Sequence, residues 1–195
     1  MTRDLGLRAT LLDVEPAVWR RLRMPAAATL ADLHRALQAA FGWQDRALHE
    51  ITDYNGRVHT DRSLDPDAPP EVLDASDTAL AEALPARGDR LRYEYHFNDE
   101  WEVDVVRERD PHGAGVARPF LVDGARAAPP EGCGGPHDYE ELLAALADPA
   151  HTEHQELRAW LPANFDPDRL DGAEIRRRLR ALSPVPLEAK PSDPG

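Results

Sequence analysis

The stretch that most constrains the fold is LRYEYHFNDEWEVDVV at 91–106. Leu91, Tyr93, Tyr95 and Phe97 share one side of an extended chain, and Trp101, Val103 and Val105 form a second apolar set after a polar break. Two strands of this kind bury a common face if Phe97 pairs with Trp101, Tyr95 with Val103 and Tyr93 with Val105. That register makes Asn98-Asp99-Glu100 the loop and sets His96 opposite Glu102 and Glu94 opposite Asp104, a like-charge pair. The aromatic face is then core, and the acidic face with its loop is the expected functional edge.

The flanking sequence supplies partners for this hairpin. Leu5, Leu7, Ala9 and Leu11 alternate with smaller or polar residues and predict a strand; a turn at 13–16 leads to a second strand over 18–24, closed by Pro25. Thr29 and Asp32 form a capping-box pattern before Leu30, Leu33, Leu37 and Phe41, and Gly42 stops the predicted helix. Leu48 to Tyr54 reads as a strand, Asn55-Gly56 as a turn into Arg57-Val58-His59, and 61–77, with its prolines and aspartates, as a loop. A short helix over 78–84 precedes the hairpin. This order predicts an α+β fold: a β-grasp-like sheet with one packed helix, the strand near 91–97 lying centrally, followed by a C-terminal helical extension.

Beyond Asp110 the composition shifts to glycine and proline, leaving room for one short strand at 119–123. Helix starts follow at Asp138 with Glu141, Thr152 with Gln155, and Asp171 with Glu174. The expected division is a core over 1–110, a Gly/Pro-rich loop over 111–136 packed on it, a helical extension of the same domain over 137–182, and a disordered tail over 183–195.

A net charge of −13 argues against a duplex-binding surface. The exception is Ile175-Arg176-Arg177-Arg178-Leu179-Arg180, where the apolar spacing makes the arginines the solvated side of a helix. No apolar run reaches membrane-span length, and the first residues lack a signal-peptide pattern, so the expectation is a cytoplasmic protein with no membrane association. The sole cysteine, Cys133, excludes an internal disulfide.

Several segments, in order, resemble the plasmid pRiA4b ORF-three-like family: VEPAVWRRLRMP at 14–25, TLADLHRALQAAFGW at 29–43, LHE at 48–50, YHFNDEWEVDV at 95–105, and APPEGCGGPHDYEELLAALADPAHTEH at 128–154. The resemblance covers roughly residues 7–180 and implies an architecture without a mechanism. Relatives commonly carry Asp, Gly and His where this chain has His96, Asn98 and Val103. Many also carry cysteines near Leu121 and Ala128. The resemblance thus implies a zinc set in relatives of which only Cys133 survives here. A resolvase-like label attached to some members fails chemically. Serine recombinases need an N-terminal nucleophilic serine among arginines, and the first serine here is Ser63, in the acidic loop.

Candidate positions each carry two readings. His49 and Glu50 are a possible base and relay, or a strand pair of which at most one faces the core. Asp99, Glu100, Glu102, Asp104, Glu94 and His96 form an acidic patch able to hold a cation, or simply a solvated face. Cys133-Gly134-Gly135 offers backbone amides to an anion or a nucleophile with His49 or His137 as base; a tight turn explains the glycines equally. His151 and His154 are a weak metal pair, or surface histidines. The conclusion from sequence is a non-enzymatic binding or accessory module, needing no cofactor, that recognises a protein or small ligand between hairpin and glycine-rich loop. Its ligand-binding candidates are His96, Asn98, Trp101, Gly134, Gly135 and Tyr139. The alternative is a metal-assisted or Cys/His-dependent hydrolase or transferase using His49, Glu50, Asp99, Glu100 and Cys133. Nucleic-acid association ranks last.

Overall fold

The computed structural model describes residues 4–64, 66–96, 101–110, 112 and 115–186, with backbone alone at position 96. Strands β1 (Leu5–Leu11) and β2 (Trp19–Met24) form the first hairpin, pairing Leu7 with Leu22 and Ala9 with Arg20. Helix α1 (Leu30–Phe41) begins at the capping box: the Thr29 hydroxyl accepts from the Asp32 amide at 3.2 Å, and the Asp32 carboxylate accepts from the Thr29 amide at 2.9 Å. It ends at Gly42, whose φ of 83° suits a residue without a side chain, and whose N–H returns to the Gln38 carbonyl.

The chain continues through β3 (Leu48–Thr52), β4 (Val58–Thr60), β5 (Leu73–Asp74) and a single turn, α2 (Leu80–Ala83), to the long hairpin of β6 (Arg90–His96) and β7 (Trp101–Arg107). Strand β8 (Phe120–Ala125) realises the short strand expected near 119–123. Helices α3 (Pro136–Ala147), α4 (His154–Trp160) and α5 (Gly172–Ala181) follow, and α5 lies against both α1 and β8.

These strands make one sheet in the order β5-β4-β3-β6-β7-β1-β2-β8. Every described pairing is antiparallel except β4 with β5. The fold is therefore mixed α+β with β6 central as expected. The sheet is broader and more uniformly antiparallel than the β-grasp-like order read from the sequence, because β8 returns to extend the edge beyond β2. No helix among the described residues is long and apolar enough to cross a membrane.

The two faces of the sheet differ. Leu7, Leu22, Tyr93, Tyr95, Trp101, Val103 and Val105 point into the core, with α1 above them. The opposite face carries ion pairs, among them Arg21–Glu108 at 2.6 Å, Arg90–Asp104 at 3.3 Å and Arg92–Glu102.

Three expectations need correction. The hairpin register is Tyr95 with Trp101, Tyr93 with Val103 and Leu91 with Val105, two residues away from the one predicted. Alternation fixes only which residues share a face, and a two-residue step preserves that. The predicted loop, Asn98-Asp99-Glu100, lies outside the described residues. Glu94 lies opposite Glu102, and Glu50 of β3 opposite Glu94, with Arg92 supplying the compensating charge. Next, α3 is capped at Gly135, with Pro136 in its first turn, rather than at Asp138, and α4 at Glu153 rather than Thr152. Finally, the tail expected from 183 does not start there. Val185 is buried, and its N–H donates to the Ala117 carbonyl at 2.8 Å.

Candidate functional site

The polar centre of the molecule is built by α1 against β6. His34 and Gln38, one helical turn apart, share the side of α1 that faces the sheet, where the Tyr93 hydroxyl meets them. His34 Nε2 lies 3.0 Å from Asp45 Oδ1. A carboxylate only accepts, so Nε2 carries the proton. Burial holds the His34 imidazole below its usual pKa against the pull of Asp45, so the ring is neutral near pH 7. Nδ1 is then a lone pair and accepts from the Tyr93 hydroxyl at 3.0 Å, which in turn accepts from Gln38 Nε2 at 2.9 Å. The Asp45 amide donates to Gln38 Oε1 at 2.9 Å and closes the circuit. Asp45 adopts a left-handed φ of 57° to offer both its amide and its carboxylate inward.

Around this circuit the aromatic groups stack. The His49 ring lies face to face with His34, centroids 3.6 Å apart and planes 8° from parallel. The Tyr95 hydroxyl donates to Glu131 at 2.6 Å and accepts from the Arg46 amide at 2.7 Å. Trp43 stacks between Phe41 and Tyr95, and its indole N–H donates to the Pro129 carbonyl at 3.2 Å. Trp43 and Glu131 thus tie the described part of the hairpin to the glycine-rich loop.

A tyrosine, histidine and aspartate in line have the form of a proton relay. Tyr93 is fully buried, its hydroxyl pKa is pushed well up by burial, and both its proton and its acceptor site are engaged. No substrate reaches that oxygen without dismantling the helix–sheet contact. Ligand atoms of His34, Asp45 and His49 lie within 4.8 Å of one another. A metal sits in the plane of each imidazole it binds, however, and two nearly parallel rings 3.6 Å apart have no common in-plane point. As built, the trio is a hydrogen-bonded stack and does not fit a metal cage.

Two clefts open elsewhere. The first, of about 220 Å³, runs between the end of α1 and the start of α5, lined by Arg20, Ala40, Phe41, Ala128, Phe165 and Ile175 among others. Arg20 is 1% exposed. Its Nε donates to the Ala40 carbonyl at 2.9 Å, and Nη1 to the carbonyls of Trp19 and Ala125 at 2.9 and 2.8 Å. Desolvation lowers its pKa to about 10, with Tyr139 opposing, so it remains a cation at neutral pH. The second cleft, of about 370 Å³, lies between the 133–144 segment and the entry to α4, and brings Cys133, Asp138, Glu141, His151 and Glu153 to one opening.

The residues singled out from sequence therefore scatter. His49 faces the core and Glu50 the opposite side, as strand alternation requires. Asn98, Asp99, Glu100 and the His96 side chain lie outside the described residues. Trp101 and Tyr139 meet edge to face at 6.2 Å in the core, and their Nε1 and hydroxyl groups find no hydrogen-bond partner among the described residues. Both are packing residues, not exposed ligand contacts. Gly134 has φ of 88°, and the Asp138 carboxylate occupies the space over it, so the proposed anion nest faces the protein's own acid. Gly135 caps α3. His154 Nδ1 donates to the Ala145 carbonyl at 3.0 Å, while His151 Nδ1 accepts from the Glu153 amide at 3.3 Å; the two do not join a three-ligand cluster among the described residues. His34, Gln38, Asp45, Glu131 and Arg20 went unnoticed in the sequence. For Arg20 a signal existed, because strand parity puts it with Leu22 and Met24 on the buried side.

Comparison with known proteins agrees with this picture of a shared scaffold without an assigned chemistry. The chain is 37% identical over 179 residues to the uncharacterized protein y4hQ of Sinorhizobium fredii (strain NBRC 101917 / NGR234), covering 91% of each. It superposes on the crystal structure of MM3350, a protein of unknown function from Methanosarcina mazei Go1, with TM-score 0.76 and 30% identity, covering 88% of this chain and 97% of that one. The profile of the plasmid pRiA4b ORF-3-like proteins matches residues 3–174, and the chain belongs to that family.

Proposed function

We propose that the protein is a non-enzymatic binding module for a small ligand, with the cleft between the end of α1 and α5 as its recognition site. The observation that carries this reading is a contrast. The chemically able side chains between α1, the sheet and the glycine-rich loop, His34, Tyr93, Tyr95 and Glu131, are spent on closed internal hydrogen bonds, while a cleft that combines alanines and two phenylalanines with charged side chains stays open. A binding pocket needs an apolar wall and a few fixed polar groups, which Arg20 and the α5 entry supply. A protein partner in place of a small ligand would have to insert a side chain into the same opening.

The test is a fragment screen read by amide chemical shifts, paired with Ala128→Trp, which fills the cleft. The reading expects shifts concentrated at Ala39, Ala40, Ala127, Ala128 and Ile175 that vanish in the variant. Shifts confined to other surfaces would overturn it.

A second reading, a thiol-dependent enzyme, draws on one observation, the presence of Cys133, His151 and Glu153 around a single cleft. It rests on proximity around one cleft alone, which leaves it behind the first.

A further inference from the structure

We infer that the ligand of the α1–α5 cleft carries a carboxylate, and that Arg20 is the residue that binds it. The inference rests on the reading of that cleft as a binding site and adds the chemical class of its occupant.

Arg20 is a cation at the floor of an opening. No carboxylate of the described residues lies within ion-pair distance of it, and its described hydrogen bonds all run to main-chain carbonyls, through Nε and Nη1. Its third nitrogen, Nη2, donates to none of the described residues, and the side chain lines the cleft. A desolvated guanidinium without an anion is costly, and a carboxylate offers the acceptor geometry that matches its planar fork. The Phe41 ring, 5.2 Å from the guanidinium carbon, holds the plane of the fork. The carbonyl of Ala40, near the negative end of α1, offsets part of the charge, and it fixes the group in place without saturating it.

The rest of the cleft narrows the class further. Its acids are already committed: Glu174 to Arg177 and Arg178, Asp171 to the Glu174 amide as the α5 cap, and Asp166 to the Asp168 amide. Arg169 and Arg178 also line the opening, so its acids and arginines balance and the site favours a ligand of low charge over one of higher negative charge. Between them and Arg20 the wall is apolar, formed by Ala39, Ala128, Phe165 and Ile175. A cavity of about 150 Å³ accommodates benzene, so about 220 Å³ admits a compact aromatic or branched apolar body with one carboxylate. The inferred occupant is a small, apolar monocarboxylate, its head on Arg20 and its body against the alanines.

The experiment titrates the full chain with sodium benzoate, benzyl alcohol and phenylphosphonate, following the Arg20 Nε–H signal and the Ala39, Ala40 and Ala128 amides. Saturable benzoate binding that moves the Arg20 signal is expected, with benzyl alcohol and phenylphosphonate each weaker by at least about tenfold. Ala128→Trp should abolish benzoate binding. Arg20→Lys should weaken it by about tenfold or more, because the charge remains and the fork is lost. Benzyl alcohol binding the cleft as well as benzoate would sink the carboxylate inference and leave the binding-site reading standing. Tighter phenylphosphonate would reassign the site to phosphoryl ligands. No probe shifting these signals would overturn both. Should Arg20→Lys fail to fold, the probe comparison and Ala128→Trp decide the matter alone.

Discussion

The imidazole of His34 lies parallel to that of His49, with ring centroids 3.6 Å apart, while its two nitrogens are committed in opposite senses, one donating to Asp45 and one accepting from Tyr93. A second proton on His34 would remove the acceptor that Tyr93 uses and place a cation against the neighbouring ring. The hydrogen-bond circuit joining α1 to β6 is therefore intact only with His34 neutral.

Stability should consequently depend on pH in a definite direction. Burial lowers the folded pKa of His34 below its ordinary 6.5, against the opposing charge of Asp45. Between the two values the unfolded chain binds more protons, so the contribution is complete above the unfolded pKa and is lost as pH falls toward the folded one. Thermal melts at about pH 7.5 and about pH 5.5 should show a larger drop in Tm for the wild type than for His34→Gln, which cannot take up that proton. Equal drops would show that His34 does not carry the effect.

What the sequence made legible was local. Thr29 with Asp32 and Gly42 marked both ends of α1 because caps are written within a few residues of one another. Alternation gave the faces of the hairpin correctly, yet it could not choose between registers two residues apart, because both leave the same residues on each face. The site was hidden because its members come from distant segments. His34 and Gln38 read as ordinary helix residues until β6 supplies Tyr93. Arg20 went unnoticed, although its parity with Leu22 already implied burial.

The contact of the glycine-rich loop with the sheet should hinge on Tyr95. Its hydroxyl donates to Glu131, whose side chain is only 5% exposed, takes a second donor from the Gln44 amide at 3.2 Å and has Arg46 at 3.8 Å. Tyr95→Phe strips that donor from a nearly buried carboxylate and should cost about 1–3 kcal/mol in urea unfolding. Glu131→Gln should cost a similar amount, and the double variant less than the sum, since both act on one bond. Amide exchange over 126–135 should accelerate in each. Additive losses would mean that the two groups act independently.

The ends of α1 should be separable contributors. Thr29→Ala removes the hydroxyl that the Asp32 amide uses and should cost about 1 kcal/mol. Gly42→Ala must hold an alanine at a left-handed φ and should also cost about 1 kcal/mol. An added Cβ at Gly42 would meet Arg178 at 3.8 Å, ordinary contact, so the penalty is conformational and not steric. Urea midpoints should fall in both variants with unchanged slopes, because neither alters the surface exposed on unfolding.

Cys133 provides the sharpest means of separating the binding reading from the thiol-enzyme reading. The thiol is half-buried at the edge of the second cleft, where His151 and Glu153 also stand. A histidine that activates a thiol raises its thiolate fraction near neutral pH, and deleting that histidine slows alkylation by about tenfold or more. In this structure His151 Nδ1 already accepts from the Glu153 amide at 3.3 Å, a local turn contact that spends one of its two nitrogens. Iodoacetamide labelling at about pH 7 should accordingly proceed at the same rate, within about twofold, in the wild type and in His151→Ala. Cys133→Ala should leave benzoate binding unchanged, because the thiol lines a different cleft from Arg20. A steep loss of labelling in His151→Ala would establish a working thiol–imidazole pair and move the chemistry of this protein from the α1–α5 cleft to the segment around Cys133.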